Sequence, residues 1–146
     1  MTKPMVFLVA CALAACIESK DPNACKRDTD CSTGTLCGAT RECMRSTDVH
    51  DVTVSWMIDG VVPSTAMPGH CGQAAWFGVG FENAGGSGFT TDAQCTDGVA
   101  HVTHVPRDYA TVRITAYQVG NVLLDEATAE VPDVPETSVG LTLKFP

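Results

Sequence analysis

Basic residues are scarce in this sequence, most of all in its C-terminal part. The 146-residue chain has nine Lys and Arg against 17 Asp and Glu, which gives a net charge of −8 at pH 7. From position 49 onward three basic residues, Arg107, Arg113 and Lys144, stand against eleven acidic ones. Binding to nucleic acid or to anionic lipid by charge needs clustered Lys and Arg. We therefore predict no nucleic acid partner and no electrostatic attachment to a membrane.

Hydrophobic runs long enough to cross a membrane are also missing. The apolar run 5–15 has eleven residues, whereas a helix needs about 20 to cross the hydrocarbon core. One basic residue, Lys3, precedes the run, and small residues end it. A basic start, a short apolar run and small residues before a cleavage site are typical of a secretory signal. We predict that residues 1–15 are a signal peptide.

The apolar run ends in Leu13-Ala14-Ala15-Cys16, which resembles the lipobox of bacterial lipoproteins. The resemblance implies that the Cys16 thiol receives a diacylglycerol, that the chain is cut before this residue, and that acyl chains such as palmitate anchor it. Two or more acyl chains hold a protein stably at a membrane. Ile17 and Glu18 follow, instead of the Asp that marks inner-membrane retention in this family. We expect a lipid anchor at the outer membrane or cell surface of a bacterium, with 16–24 as lipidated N-terminus and linker.

Cysteine, in contrast, is abundant, with eight residues. Without Cys11 of the predicted signal and the lipidated Cys16, six remain, an even number that predicts disulfides in an exported chain. Four of the six recur every sixth residue in the segment 25–47, which has few apolar residues. Two disulfides, typically about 2–4 kcal/mol each, would replace the core that this segment lacks. These four cysteines can pair in three ways, and we favour Cys25–Cys37 with Cys31–Cys43. The two remaining cysteines are expected to form the bridge Cys71–Cys95.

A zinc site of four thiolates is the alternative for these four cysteines. Zinc ligands usually come in pairs two to four residues apart, whereas here five residues separate each neighbouring pair. Asp28 and Asp30 alternate as in a calcium loop, but the distal Glu is missing, so we predict that they are turn residues. The segment resembles the short cysteine-rich motif that follows the lipobox in many bacterial surface lipoproteins. The resemblance implies an extracytoplasmic module without a known activity.

Beyond this segment the hydrophobic period becomes two. Val52, Val54 and Trp56, for example, alternate with polar residues, which is typical of a half-buried strand. Turn signals separate about seven such strands, and no amphipathic helix is evident. We predict an all-β fold, an antiparallel β-sandwich of about seven strands over 49–146, preceded by the small disulfide-rich segment. The predicted strands are 52–58, 74–82, 89–95, 99–105, 111–117, 122–131 and 139–145.

Pro106-Arg107-Asp108-Tyr109, followed by a strand, resembles the regulatory-like, transthyretin-type sandwiches of exported bacterial proteins. In those domains a Pro, a Gly and a Tyr precede a Val-rich strand; here Tyr109 comes one residue earlier and the Gly is absent. The resemblance implies an adhesive or structural domain. It also implies a packed Tyr ring whose hydroxyl bonds to nearby backbone.

Residues that could support catalysis do not form a recognisable pattern. Gly85-Gly86-Ser87-Gly88-Phe89 approaches Gly-x-Ser-x-Gly, but it ends in Phe and lies between two predicted strands. His101 and His104 are three residues apart, so on a regular strand they point to opposite faces and need a bulge to share an ion. Asp125 and Glu126 are adjacent and also point to opposite faces. We predict no enzyme, no cofactor and no metal site.

The favoured function is a surface-displayed, non-enzymatic module, structural or adhesive, whose loops bind a protein or a glycan. The longest candidate loops are 64–72 and 83–88, since loops on such scaffolds carry function. The alternative is a periplasmic lipoprotein that binds a small ligand or a metal through His70, His101 or His104. A hydrolase would require the serine of the glycine-rich turn to lie within hydrogen-bond reach of a histidine.

The lipid anchor gives a first test. Cys16→Ser is expected to abolish acylation and to release the protein from the membrane fraction, because the thiol is the group that receives lipid. Cys11→Ser is the matched control, since this cysteine leaves with the predicted signal. Mass spectrometry of the membrane-extracted protein measures the added mass. A wild-type product that keeps Met1 and carries no acyl mass would contradict the prediction.

Overall fold

A computed structural model describes residues 24–145 of the chain. The predicted signal peptide and the predicted lipidation site at Cys16 lie outside the described residues. The described part forms nine strands in three sheets, ordered β1-β2, β6-β3-β9 and β5-β4-β7-β8. The strands are β1 Thr35–Cys37, β2 Cys43–Arg45, β3 Val49–Ile58, β4 Ala74–Glu82, β5 Gly88–Ala93, β6 Val99–Pro106, β7 Thr111–Gln118, β8 Val122–Glu130 and β9 Glu136–Leu143. Within 24–145 no helix has the length and apolar character needed to cross a bilayer.

The predicted all-β fold is confirmed, with seven strands in the sandwich and a small disulfide-rich sheet before it. One pairing differs from the predicted antiparallel arrangement. Strand β3 pairs antiparallel with β6 but parallel with β9, so that Val54 lies opposite Val139. Strands β3 and β9 can be parallel neighbours because the chain passes through the other sheet, in β7 and β8, before β9 returns to the side of β3. Alternation of apolar residues reports which face is buried and contains no information on strand direction.

The core lies between the two larger sheets, where every second residue of each central strand is buried. The alternating residues of these two strands that belong to the core are Val52, Val54, Trp56 and Ile58 on β3 and Phe77, Val79 and Phe81 on β4. Trp56 stacks on Phe77 across the interface, with ring centroids 5.8 Å apart. Burial of a large apolar side chain contributes about 1.5–3 kcal/mol. The side chains of this interface therefore determine which face of each sheet points inward.

Strand β6 contains a bulge. Val102 and Val105 both belong to the core although they are three residues apart, because Thr103 and His104 together lie opposite a single residue of β3. His104 has a φ of 55°, in the left-handed region. The prediction that His101 and His104 point to opposite faces assumed a regular strand. The bulge makes that assumption wrong.

The cysteine-rich segment docks on this bulge. The backbone N–H of Ala39 donates to the carbonyl of His104 (2.9 Å), and His104 Nδ1 lies 3.1 Å from the carbonyl oxygen of Cys37. The same nitrogen lies 3.5 Å from the carboxylate of Asp28. On the other side, Asp51 accepts the backbone N–H of His104 (3.0 Å). The segment thereby occupies one backbone carbonyl of the edge strand β6, a group that would otherwise be free to pair with another chain.

A second contact ties the linker between the segment and the sandwich. The backbone N–H of Arg107 donates to the carbonyl of Asp48 (3.0 Å), and its Nε donates to the carbonyl of Thr47 (2.9 Å). Its guanidinium also pairs with Asp133, in the loop before β9. We call the end of the sandwich that contains Arg107 and the His104 bulge the module end.

The opposite end of the sandwich we call the distal end. Here β4 begins beside the end of β7, with Ala74 opposite Gln118. The bridge Cys71–Cys95 lies here, and the indole N–H of Trp56 donates to the carbonyl of Cys95 (3.1 Å). Five large apolar side chains at this end, each about half exposed or more, are Val62, Met67, Val119, Val122 and Leu123.

The register of β7 can be tested with two adjacent substitutions. Ile114 is fully buried, whereas Thr115 points to the solvent face. Ile114→Ala is expected to lower the free energy of unfolding by about 2–5 kcal/mol, because it removes buried methyl groups and leaves a cavity. Thr115→Val keeps a β-branched side chain on the solvent face, so its expected change is below about 0.5 kcal/mol. Urea unfolding measures both, and equal effects would contradict the register.

Candidate functional site

The six cysteines of the described residues form three bridges, Cys25–Cys37, Cys31–Cys43 and Cys71–Cys95. These are the pairs favoured in the sequence analysis. Three sulfur atoms within 24–145, those of Cys25, Cys31 and Cys43, lie within 4.8 Å of one another, close enough to share an ion. Because each is bonded to another sulfur, none offers the thiolate that zinc requires.

Asp28 and Asp30 of the module are hydrogen-bond acceptors. The carboxylate of Asp30 accepts the backbone N–H groups of Lys26 (2.9 Å) and Arg27 (3.0 Å), and that of Asp28 accepts the backbone N–H of Cys37 (2.8 Å). The hydrogen bond from Lys26 is the largest cause that lowers the pKa of Asp30 below its ordinary value of 3.8. Both residues thus have the turn role that the sequence predicted.

Two further groups with shifted pKa values lie at the module end. A hydrogen bond from Arg45 (2.8 Å) lowers the pKa of Asp48. Burial raises the pKa of Tyr109, whose ring packs against Phe89 with centroids 5.4 Å apart. Both groups stabilise the packing of linker and loops at this end.

The histidines do not converge on one site. The ring of His101 hydrogen-bonds the hydroxyl of Thr53 (3.0 Å), and that of His104 bonds to the module. His50 is buried, with Nδ1 3.1 Å from a backbone carbonyl of the loop before β9. His70 is exposed in the short 3-10 helix that precedes β4. The set proposed as metal or ligand donors, His70, His101 and His104, is therefore not brought together.

The glycine-rich turn and the adjacent acids have local structural partners. The side-chain oxygen of Asn83 accepts two backbone N–H groups of the turn, including that of Ser87 (3.0 Å), as expected of an Asn-stabilised turn. Asp125 accepts the backbone N–H of Lys144 (2.7 Å), while Glu126 points to the other face of β8. The loop 83–88 is thus a fixed hairpin at the module end.

A concave surface that the sequence analysis missed lies on the solvent face of the four-stranded sheet. Because Phe77, Val79 and Phe81 of β4 point inward, the residues between them point outward. They form the base of a groove of about 390 Å³. We call it the aromatic groove, and its lining residues are Trp76, Gly78, Gly80, Glu82, Thr90, Asp92, Arg113, Thr115 and Tyr117.

Two stacked aromatic rings stand at the distal end of this groove. Trp76 on β4 lies opposite Tyr117 on β7, and their rings are nearly parallel, with centroids 4.1 Å apart and an interplanar angle of 16°. Tyr117 covers one face of the indole from β7. On the other side of β4, Thr90 and Asp92 of β5 are exposed and line the same groove. One aromatic face and two polar side chains thus border the same space.

Glycine at position 78 is required for this arrangement. A Cβ atom there would lie 3.1 Å from the indole of Trp76 and 3.2 Å from the methyl group of Thr90, closer than nearly all real contacts. The sequence contains a signal for the site, since Trp76, Gly78 and Gly80 occupy alternate positions of one strand. The sequence predicts 74–82 as a central strand that is apolar on both faces. That prediction does not distinguish the solvent face of the strand from its core face, so it does not reveal the site.

The charges of the groove are mostly paired. Arg113 lies 3.3 Å from the carboxylate of Glu82 and 4.0 Å from that of Glu126. All three side chains are 40–49% exposed, so each pair contributes at most about 1 kcal/mol. With Asp92 the groove has two lining carboxylates and one guanidinium, and Glu126 adds a third carboxylate beside Arg113. Such a surface repels anions and offers hydrogen-bond acceptors to a neutral ligand.

The groove continues towards the distal end. Trp76 and Asp92 also line a wider depression of about 1060 Å³ beside the bridge Cys71–Cys95. The loop 64–72, one of the two predicted binding loops, contributes Pro68 to its border. The two concave surfaces therefore adjoin at Trp76 and Asp92, which line both.

The exposure of the two tryptophans can be compared directly. Trp56 is 1% exposed, whereas Trp76 is partly exposed in the groove. In Trp76→Phe, acrylamide quenching of fluorescence is expected to fall to that of a buried indole, with emission at shorter wavelength. Trp56→Phe is the matched control and should retain most of the quenching. Quenching that survives Trp76→Phe unchanged would contradict the position of the groove.

Comparison with models of known protein families, with curated proteins and with solved structures finds no match to this chain. No function is therefore transferred from a relative, and the proposals below rest on the residues themselves.

Proposed function

We propose that the protein is a lipoprotein of the outer membrane or cell surface whose sandwich is a non-enzymatic binding module. The lipobox-like sequence that ends at Cys16 supplies the anchor in this proposal. The sandwich supplies a concave, partly aromatic surface. Structural and adhesive proteins of cell surfaces need such a rigid scaffold and not a catalytic centre.

The observation that carries this proposal is the separation of the two ends of the sandwich. The cysteine-rich module is fixed to one end by His104 and Arg107. Eight Cα–Cα steps separate Cys16 from Ala24, where the described chain begins, and they reach at most about 28 Å. A lipid at Cys16 would therefore keep the module end close to the membrane, and the distal end would be the end farther from the anchor. Trp76 and the loop 64–72 are then the parts available to a partner.

The disulfides support an exported location. Three bridges in a chain of this size are typical of oxidising compartments and rare in the cytosol. The bridge Cys71–Cys95 closes a loop of 24-residue separation, which contributes roughly 3.5 kcal/mol in the chain-entropy model. It thus stabilises the distal end, which contains few regular hydrogen bonds between strands.

The chemistry of the described residues favours binding over catalysis. The pKa values of Asp30 and Asp48 are lowered because these carboxylates accept hydrogen bonds in turns, and that of Tyr109 is raised by burial in packing. None of the three lines the aromatic groove. The groove offers an aromatic face and hydrogen-bonding groups, which is the composition of a ligand-binding surface.

Location and redox state test the proposal together. In cells that express the full chain with a C-terminal tag, an antibody against the tag should label intact cells and the protein should sediment with membranes. Alkylation before and after reduction should show that Cys25, Cys31, Cys37, Cys43, Cys71 and Cys95 react only after reduction.

The matched control is Cys16→Ser. This variant is expected to be absent from the membrane fraction, while the six cysteines of its exported form stay oxidised. A wild-type protein found in the cytosol with six reactive thiols would overturn the proposal. Membrane-bound protein that the antibody reaches only after the outer membrane is opened would leave the anchor but overturn surface display.

A further inference from the structure

The indole of Trp76 is partly exposed and lines the aromatic groove. Tyr117 stacks on it from β7, with ring centroids 4.1 Å apart, and Thr90 and Asp92 of β5 line the same groove. A solvent-exposed Trp face with glycine at its base costs stability, because Gly in a strand interior is unfavourable and leaves a side-chain position unfilled. A ligand with a flat apolar face that stacks on the indole would use this space.

The groups around this face define the chemistry of the ligand. Asp92, exposed on β5, takes part in none of the ion pairs found within residues 24–145. Its carboxylate has free acceptor positions for two hydroxyl groups. The hydroxyl of Thr90 adds a donor and an acceptor. Thr90 lies two residues before Asp92 on β5, which is about 7 Å along the strand, because neighbouring residues are about 3.4 Å apart. The ligand therefore has hydroxyl groups at its rim.

Charge excludes one other ligand class and ring geometry a second. The single cation of the groove, Arg113, is flanked by Glu82 and Glu126 and is not available to an anion. Quaternary ammonium groups are bound by aromatic cages in which several faces converge, whereas the rings of Trp76 and Tyr117 are stacked on each other and their faces do not converge. A neutral ring with one apolar C–H face and equatorial hydroxyl groups, which is a pyranose, fits both the aromatic face and the acceptors.

The concave surface is larger than a single sugar needs, which favours a chain of sugars. The aromatic groove of about 390 Å³ adjoins, at Trp76 and Asp92, the depression of about 1060 Å³ beside Cys71–Cys95. A ring stacked on Trp76 would therefore have space for a neighbouring ring in that depression.

We propose that the aromatic groove binds a neutral glycan chain, with one pyranose ring stacked on the indole of Trp76 and its hydroxyl groups bonded to Asp92 and Thr90. This inference rests on the proposed function, because it names the partner of the displayed sandwich. Gly78 acts as a positioning residue in this proposal, since a Cβ atom there would press on the indole at 3.1 Å.

The test uses the detergent-solubilised full chain and four neutral hexasaccharides: cellohexaose, xylohexaose, maltohexaose and the hexamer of N-acetylglucosamine. Isothermal titration calorimetry and tryptophan fluorescence measure binding, with polygalacturonate as the anionic polymer. At least one neutral hexasaccharide is expected to bind saturably and to change the emission of Trp76. Trp76→Ala should weaken that binding about tenfold or more, as truncation of a central aromatic contact does, and Asp92→Asn should weaken it less.

Two glycine variants separate a displaced indole from a general loss of structure. Gly78→Ala should weaken glycan binding, because its Cβ would be 3.1 Å from the indole. Gly140→Ala is the matched control, a strand glycine on the other sheet whose Cβ would meet its nearest atom at an ordinary 3.7 Å, and it should bind like wild type. Circular dichroism and thermal unfolding confirm that each variant is folded.

Three results would overturn the inference: no binding of any of the four hexasaccharides by the folded protein, binding that Trp76→Ala leaves unchanged, or binding of polygalacturonate alone. Because these measurements use purified protein, they are independent of location. Surface labelling without glycan binding would overturn only this inference. A cytosolic location of the protein would overturn the proposed function, whatever the titration shows.

Discussion

The packing of Trp56 between the two sheets is the interaction on which the rest of the sandwich depends. Its indole is buried on β3, stacks on Phe77 of the opposite sheet and donates a hydrogen bond to the carbonyl of Cys95. That carbonyl belongs to the bridge with Cys71. One side chain thus joins both sheets and the disulfide of the distal end. A buried indole satisfied in this way contributes apolar burial without the cost of an unpaired N–H.

The inward position of Phe77 has a direct consequence for the solvent face. Since successive side chains of a strand alternate, Trp76 and Gly78 must point outward. The chain therefore has one tryptophan in its core and one on its surface, and the second stacks on Tyr117. The candidate binding surface is in this sense a product of the same alternation that builds the core. Changes to the core face of β4 would be expected to move the groove as well.

The module and the sandwich depend on each other through the bulge at His104. The bulge brings a backbone carbonyl and an imidazole to the module, and the module in return covers the edge of β6. The segment has little apolar surface of its own, so its disulfides hold its shape and the sandwich holds its orientation. This division explains why the acidic residues of the module serve as hydrogen-bond acceptors and why the histidines of β6 are structural.

The sequence by itself determined the class of fold, the number of sandwich strands and most of their positions, because a period of two in apolar residues is a local property. Ala74–Glu82, for example, is the predicted strand without change. It also favoured the pairs that the cysteines form, from their spacing and their division along the chain. Only the tertiary structure decided the parallel pairing of β3 with β9, the bulge at His104 and the meeting of Trp76, Asp92 and Tyr117. These features depend on which distant segments become neighbours, and neither alternation nor spacing within one strand contains that information.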